Sequence, residues 1–293
     1  MPLHRWKWAK HGSLLTLVLV GTMLKGPLAF ADTTDDRIDK EQKPLYELGI
    51  GAGSGYFLHY PASDQGKWRS VVVPTVLYRG SIFRADEEDG LRARLVSHPS
   101  YGVEISGAGT LPIPSDENSA RQGMPDLDLL GEVGPQLYIK IQKDEDLEAR
   151  LLFPLRFASS TDFSSVHPRG FTFTPGFQVR APLQNSLGTI SFTVSPTFGS
   201  SQYQEYFYGV ADRYATPNRP AYRASAGYIG TRTEIGFFTE WHRVSFYAQV
   251  DYNNYQKAKN AKSPLFKADH AVSGFFGISW LLYQSEAKED DRE

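Results

Sequence analysis

Residues 46–57 read YELGIGAGSGYF, and glycine occupies every second position from Gly49 to Gly55. The positions between them are mainly apolar, and this period of two gives a β-strand two distinct faces, whereas a helix could not gather the apolar residues on one side. A dinucleotide-binding loop needs glycines at i, i+2 and i+5 before a helix, and these fall at i, i+2, i+4 and i+6. The stretch therefore predicts a strand whose glycine face leaves room in a narrow interior.

The same alternation recurs along most of the chain. Residues 171–180, 190–198 and 244–253 each alternate apolar and polar side chains, and no amphipathic helix longer than a turn or two is evident. This pattern predicts an all-β chain. Twelve strands are predicted, near 45–58, 68–79, 81–86, 91–97, 101–110, 131–141, 146–157, 169–181, 188–199, 222–240, 243–255 and 271–283. Ten strands, with residues 81–97 paired differently, are the alternative.

The predicted connections alternate in length. Counting back from the C-terminus, 256–270 is long, 241–242 is tight, 200–221 is long, 182–187 is short and 158–168 is long. Bacterial outer-membrane barrels have long loops outside and tight turns on the periplasmic side, and an even strand number returns both termini to the periplasm. A transmembrane antiparallel up-and-down β-barrel is therefore predicted, with a soluble β-sandwich as the alternative. Residues 86–90, DEEDG, are an exception, because a short turn stands where an outer loop is expected.

The N-terminal residues predict export from the cytoplasm. A basic start, a short apolar stretch and an A-x-A ending at Ala31 describe a signal peptide over residues 1–31. The apolar stretch is about half of the roughly 20 residues that a membrane-spanning helix needs. Residues 32–44 are expected to form a flexible periplasmic leader, 45–283 the barrel and 284–293 a charged periplasmic tail.

Composition excludes several classes of function. The absence of cysteine excludes disulfides, thiol catalysis and thiolate metal sites. Beyond the signal peptide, 27 Lys and Arg stand against 33 Asp and Glu, which disfavours a nucleic-acid surface. No metal site or cofactor is predicted, because the remaining histidines lie in predicted loops, turns or strand ends without metal-binding spacing. These histidines are His59, His98, His167, His242 and His270.

Five prolines conflict with regular pairing in a closed barrel. Proline has no backbone N–H, so it cannot donate to a neighbouring strand. Bulges or early ends of pairing are therefore predicted at all five. They are Pro74, Pro135, Pro154, Pro175 and Pro196.

Charged residues of both signs fall on the face opposite the apolar one and predict a polar ladder inside the barrel. Opposite charges on neighbouring strands can pair across a small lumen and fill it, or they can line a narrow water path. A mostly filled interior is the favoured interpretation. The ladder comprises Glu47, Arg92, Arg94, Glu104, Lys140, Glu148, Arg150, Arg156, Arg180, Arg223, Arg232, Glu234, Glu240 and Asp251.

An outer-membrane lipid hydrolase or acyltransferase is a less favoured hypothesis. Such enzymes place serine and histidine near the membrane surface, and Ser164, Ser165 and His167 supply both residue types. Loops of any protein contain such neighbours, and no G-x-S-x-G elbow is present. No catalytic residue is therefore predicted, and the protein is expected not to be an enzyme.

Four stretches together resemble the MipA/OmpV family of Gram-negative outer-membrane proteins, the MltA-interacting protein family. They are YELGIGAGSGYF at 46–57, PTVLYRGSIF at 74–83, RQGMPDLDLLGEVGPQL at 121–137, and YFYGV at 206–210 followed by AYRASAGY at 221–228. The correspondence runs in order over nearly the whole mature chain, and none of the stretches is catalytic. The charged tail after Tyr283 departs from the family pattern, in which such barrels usually finish at an aromatic residue.

The resemblance implies an outer-membrane β-barrel in contact with outer-membrane lipid. It also implies a scaffold or interaction role, in which the barrel brings a lytic murein transglycosylase together with a bifunctional murein synthase. A porin-like channel for small solutes is the alternative that the family suggests. No functional residues can be transferred from the family to this sequence.

Overall fold

The computed structural model describes residues 44–79, 83–86, 90–143, 147–184 and 187–288. The predicted signal peptide, nearly all of the leader and the end of the tail lie outside these residues. One α-helix, α1, spans Ser201–Tyr208, and short 3-10 turns lie at Ser115–Glu117 and Asp212–Tyr214. The strands are β1 Tyr46–Leu58, β2 Gly66–Arg79, β3 Phe83–Asp86, β4 Gly90–His98, β5 Tyr101–Thr110, β6 Leu129–Lys143, β7 Glu148–Thr161, β8 Val166–Phe173, β9 Gly176–Pro182, β10 Thr189–Gly199, β11 Gly227–Trp241, β12 Val244–Asn254 and β13 His270–Gln284.

The strands form one antiparallel ring. Each strand pairs with its neighbours in sequence, and β13 closes the ring on β1 from Glu47↔Gln284 to Tyr56↔Gly274. Strands β8 and β9 are two parts of one strand, because both pair with β7 and with β10. The ring therefore has twelve strand positions, which confirms the predicted barrel and its strand number over the alternative of ten.

The polarity of the barrel is that of a membrane protein. Apolar side chains on the strands point outward and are exposed, with Val72 at 70% and Ile235 at 54%. Polar side chains on the same strands point inward and are buried, among them Glu104, Arg150, Gln178, Arg180, Thr193, Glu234, Gln249 and Asp251. An outer face of this kind is stable against lipid and not against water. Among the described residues, no helix is long and apolar enough to cross a membrane.

Two predicted boundaries are wrong. Strand β11 begins at Gly227 and not near 222, because the preceding residues pair with a loop through the bridge Val210↔Tyr222. Strands β7 and β8 run further than predicted and leave only residues 162–165 between them, where a long loop was expected. Asp162 stabilises this tight turn, because its carboxylate accepts the backbone N–H groups of Ser164 and Ser165 at 3.0 and 2.9 Å.

The prolines interrupt pairing at four of the five predicted positions. Pro175 lies in the break between β8 and β9. Pairing of β6 with β7 skips Pro135, and pairing of β7 with the β8–β9 strand skips Pro154. Pairing of β10 with the same strand is interrupted around Pro196, and a register shift toward β11 follows at Thr197.

The prediction is wrong at Pro74, which pairs with Ile50 in an unshifted register. The backbone N–H of Arg79 donates to the carbonyl of Leu45, so odd-numbered residues of β2 bond to β1. Even-numbered residues direct their backbone groups to the other side. Pro74 therefore lacks its N–H on an edge where β2 has no partner at that height, and no hydrogen bond is lost.

The glycine face of β1 lines the interior, as predicted. A Cβ on Gly51 would lie 2.9 Å from Thr75 Cγ2, and a Cβ on Gly277 of β13 would lie 2.5 Å from Tyr247 Cε1. Real Cβ atoms do not approach other atoms this closely, so glycine is needed for these side chains to fit. The glycines thus make room for inward side chains of adjacent strands.

Candidate functional site: the capped lumen

Loops close the barrel at the end opposite the chain termini, which is the extracellular end of an even-stranded barrel. Helix α1 begins after Ser200, whose hydroxyl accepts the N–H of Tyr203 at 3.4 Å. Its buried aromatic side chains pack against residues from the other loops and the strand ends. We call this cluster the cap; its members are Tyr60, Ala62, Ile113, Leu127, Leu130, Ala158, Tyr203, Phe207, Tyr208, Ile229 and Tyr255.

Two arginines tie the loops of the cap together. Arg121 is buried and donates to the carbonyls of Phe207 and Pro125, both at 3.2 Å. Arg219 donates to the carbonyls of Ala120 and Gln122 at 3.0 and 2.9 Å. Because these contacts join the loop after β5 to the loop after β10, the two loops form one unit.

Buried amides join the loop after β12 to the same unit. Gln204 donates to the carbonyl of Gly227 at 2.7 Å, and Asn260 donates to Gln204 and to the carbonyl of Ser225, the latter at 2.8 Å. Ser263 donates to the carbonyl of Tyr208 at 2.7 Å. Buried polar groups that are satisfied in this way make a loop arrangement specific.

The phenols of the cap residue Tyr60 and of Tyr206, which packs against the cap, remain protonated over the physiological pH range. Burial raises the pKa of Tyr60 and of Tyr206 to about 12. Both can therefore donate, Tyr60 to the carbonyl of Leu265 at 2.8 Å and Tyr206 to that of Asp128 at 3.1 Å. His59 is different, because burial lowers its pKa from 6.5 and its Nδ1 lies 3.0 Å from the amide nitrogen of Asn118.

Most of the predicted polar ladder lies on inward-facing strand positions. The side chain of Arg92 lies outside the described residues. Arg223 lies on an exposed loop and not on a strand, because β11 starts only at Gly227. The inward positions are held by Glu47, Arg94, Glu104, Lys140, Glu148, Arg150, Arg156, Arg180, Arg232, Glu234, Glu240 and Asp251.

Charges at the periplasmic end of the lumen form close pairs. Arg79 donates to Glu47 at 2.8 Å and to the carbonyl of Pro44 at 3.0 Å. Glu148 lies 3.2 Å from Arg150 and is opposite Arg180 in the strand register. Sequence reasoning missed Arg79, although its period-two spacing from Arg69 placed both on one face of β2.

A second network lies below the cap. Glu132 accepts from Thr172 at 2.7 Å and from the cap residue Tyr203 at 2.9 Å. Gln136 donates to Glu104 at 2.8 Å, and Arg156 donates to Ser106 at 3.0 Å. The cap is therefore bonded to the barrel wall as well as to its own loops.

A cavity of about 220 Å³ lies beside this network. Its lining includes Arg156 and Arg232, together with Glu132 and Tyr203. Arg232 is exposed to the cavity and has no hydrogen bond or ion pair within 4 Å to any described residue, although the nearby carboxylates of Asp251 and Glu234 partly balance its charge. The cavity therefore offers a cationic group with free donors to a small ligand.

The serine and histidine of the hydrolase hypothesis are in contact, but they do not form a triad. Ser165 Oγ lies 3.0 Å from His167 Nε2. Asp162 accepts from Ser164 and Ser165 and not from the histidine, whereas a triad needs the acid to orient the imidazole. These hydroxyls and backbone N–H groups lower the pKa of Asp162. The group is an exposed turn motif.

Solved structures with some similarity to the chain are outer-membrane proteins of low identity. A NanC porin is 11% identical, with 80% of this chain and 100% of that chain covered and a TM-score of 0.36. A bacterial polysaccharide outer membrane secretin is 11% identical, with 82% and 99% covered and a TM-score of 0.38. Outer membrane phospholipase A from Escherichia coli is 10% identical, with 90% of this chain and 98% of that chain covered and a TM-score of 0.27.

No curated protein matches the chain. The family model described as "MltA-interacting protein MipA" matches residues 50–282, which is nearly the whole barrel. This match agrees with the inside-out polarity of the twelve-strand ring and with its location in the outer membrane. The chain belongs to the MipA family of outer-membrane β-barrel proteins.

Proposed function

We propose that this protein is a non-enzymatic scaffold that links the outer membrane to murein-synthesising and murein-cleaving enzymes. The name of its family, which refers to interaction with the enzyme MltA, supports such a partner. The observation that carries the proposal is the cap, whose buried side chains from several loops cover the outer mouth of the barrel. A scaffold needs a stable barrel and no pore, whereas a solute channel gains nothing from this closure.

The enzymes would dock at the periplasmic end, where the tight turns lie and where the described residues begin at Pro44 and end at Lys288. Leu187 is 62% exposed on the short turn between β9 and β10. Trp241 is 68% exposed and packs edge-on against His242 in the turn between β11 and β12. Exposed apolar side chains on turns that face an aqueous compartment are suited to protein contacts.

Retention of purified enzymes tests the proposal. The barrel is immobilised in lipid nanodiscs and exposed to a lytic murein transglycosylase and to a bifunctional murein synthase, singly and together. We expect each to be retained, and Leu187→Asp to weaken retention. Phe163→Asp is the matched control, because Phe163 is similarly exposed, at 69%, on an extracellular turn. If one or both enzymes were not retained by the wild-type barrel, the proposal would be contradicted.

A porin-like channel is the second candidate. The cavity below the cap and the free donors of Arg232 favour it, because charged groups in a lumen can select small solutes. The cap and the paired charges at the periplasmic end count against it. The two candidates differ in ion conductance, which a scaffold does not require.

A further inference from the structure

One strand of the barrel, β3, is too short to span a membrane. A transmembrane β-strand needs about 9–11 residues. Only residues 80–100 lie between the end of β2 and the start of β5, and they must supply both β3 and β4 with their turns. Strand β3 has 4 residues, and Asp86 pairs with Gly90 at the end of the β3–β4 hairpin.

This short hairpin leaves an opening in the wall. Strand β2 pairs with β3 only through Tyr78 and Arg79, and β5 pairs with β4 only from Tyr101 to Ile105. Over the described residues, Gly66–Leu77 of β2 and Ser106–Thr110 of β5 have no strand partner on the sides that face each other. We call this opening the lateral window.

Side chains close the window at its extracellular end. Lys67 forms an ion pair with Glu117 at 2.7 Å, and Arg69 donates to the carbonyl of Pro112 at 3.2 Å. Both contacts run from β2 to the loop after β5. The window is therefore bounded on all sides, by β2, β5, this loop and the β3–β4 hairpin, and it lies in the half of the barrel nearer the outer leaflet.

The cavity below the cap reaches the window. Its lining includes every residue from Ser106 to Thr110, so the β5 edge of the window borders it, whereas no residue of β2 does. In a fully paired strand only alternate residues face the interior. Open backbone edges do not occur against lipid unless they line a water-filled cavity, and a cavity lies behind this edge of β5.

The residues at the window edges do not favour pairing with another strand. Pro74 removes a donor from the free edge of β2. On β5 the N–H of Lys140 donates to the carbonyl of Ser100, so even-numbered residues bond to β6 and the free edge is formed by Gly107 and Gly109. Proline and glycine at edges disfavour added strands. A second copy of the chain is therefore a poor occupant of the window.

Beside the window, β2 is mainly apolar on its inner face, with Thr75 between Val73 and Leu77 and Arg69 at the extracellular end. Val71, Val73 and Leu77 occupy inward positions, whereas the closed wall of β10 places Ser191 and Thr193 there. Strands that read as continuous apolar runs are buried by apolar material on both faces. The run Val71–Val73 therefore indicates apolar contact inside the wall as well as outside it.

We infer that the lateral window admits an amphiphile with an acyl chain and an anionic head from the outer leaflet into the cavity. The chain lies between the valines of β2 and the glycines of β5. The head accepts hydrogen bonds from Arg232, whose donors have no partner among the described residues. This function is separate from the docking of enzymes at the periplasmic end and does not depend on it.

Site-directed quenching tests the window, because the chain has no cysteine and each label is unique. Ala108→Cys places a fluorescent label inside the lumen at the window, and Thr193→Cys places it inside at the closed wall. In phosphatidylcholine vesicles with nitroxide-labelled acyl chains, we expect several-fold stronger quenching for Ala108→Cys. Equal protection of both labels would overturn the window, whether the barrel runs as a monomer or a dimer.

Photolabelling tests the occupant, and the adducts are first mapped on the unmodified protein. A diazirine-bearing fatty acid is added to the barrel in vesicles, irradiated and mapped by mass spectrometry. We expect adducts at Val71–Val73 and Ser106–Thr110, and a several-fold loss of bound fatty acid for Arg232→Gln but not for Arg243→Gln in a periplasmic turn. Adducts confined to outward-facing residues around the barrel would overturn the inference.

Discussion

At the scale of single residues, two ion pairs made by residues of β2 differ in how deeply they are buried. The side chains of Arg79 and Glu47 are 6% and 14% exposed, whereas those of Lys67 and Glu117 are 48% and 33% exposed. The two pairs have nearly the same distance, 2.8 and 2.7 Å. Loss of one partner from a buried pair leaves an uncompensated charge, whereas an exposed pair is screened by water.

Glu47→Gln is therefore expected to lower the free energy of unfolding by about 3 kcal/mol, because Arg79 loses the carboxylate that lies 2.8 Å from it in a buried pair. Glu117→Gln is the control and should change it far less, because water screens the exposed pair. Urea unfolding in lipid vesicles measures both. Equal effects of the two substitutions would show that the lumen screens charge as bulk water does.

His59 makes the cap sensitive to acid. Its pKa is lowered by burial from 6.5, so the unfolded loop binds a proton more readily than the folded one. Stability from this residue is complete above pH 6.5 and decreases as the pH falls below it, by at most about 1.4 kcal/mol per pH unit. The stabilisation of the wild type relative to His59→Gln, measured as the difference in Tm, should therefore decrease as the pH falls below 6.5. A constant difference from pH 7.5 to 5.5 would contradict the assignment.

Single positions differ in how far the sequence predicts them. The glycine face of β1 followed from a period of two and from spacing, and the structure places it inside. Arg223 was predicted on a strand that starts near residue 222. In the structure Tyr222 forms a bridge with Val210, and this holds the segment in a loop. The environment of Arg79 could not be predicted from spacing alone, because its pairing with Glu47 depends on the register of β1 and β2.

At the scale of elements, strand positions were predictable and the contents of loops were not. Each strand carries its own period-two signal, so most predicted boundaries agree with the structure within a few residues. Helix α1 has only 8 residues, about two turns, which is too short for its period to stand out from the surrounding loop sequence. Its packing depends on loops from other hairpins, which no local pattern records. The prolines predicted interruptions correctly except at Pro74, where the neighbouring strand is too short to pair.

Ser200 connects α1 to the barrel wall. Its hydroxyl accepts the N–H of Tyr203 at 3.4 Å and that of Phe171 in β8 at 3.0 Å. Ser200→Ala should destabilise the cap by about 1 kcal/mol, since it removes a helix N-cap. Hydrogen exchange of residues 201–208 measures the effect, with the exposed Ser201→Ala as the control. Unchanged exchange in Ser200→Ala would show that packing alone positions α1.

At the scale of the whole molecule, the barrel combines a lipid-facing exterior, a polar interior and a covered outer mouth. The exterior and the strand number were predictable, because loop lengths and alternation extend over the whole chain. The cap and the short β3–β4 hairpin were not, although residues 86–90 already departed from the expected loop order. Such features arise from contacts between distant segments, such as Arg121 with Phe207.

We propose that this barrel serves as a closed attachment point and not as a channel. Planar-bilayer recording of the purified full-length barrel tests it most directly. Because the cap covers the outer mouth and paired charges occupy the periplasmic end, we predict no steady conductance steps above the lipid baseline at moderate voltage. Reproducible open steps of uniform size, present in wild type and changed in size by Arg232→Gln, would contradict the account.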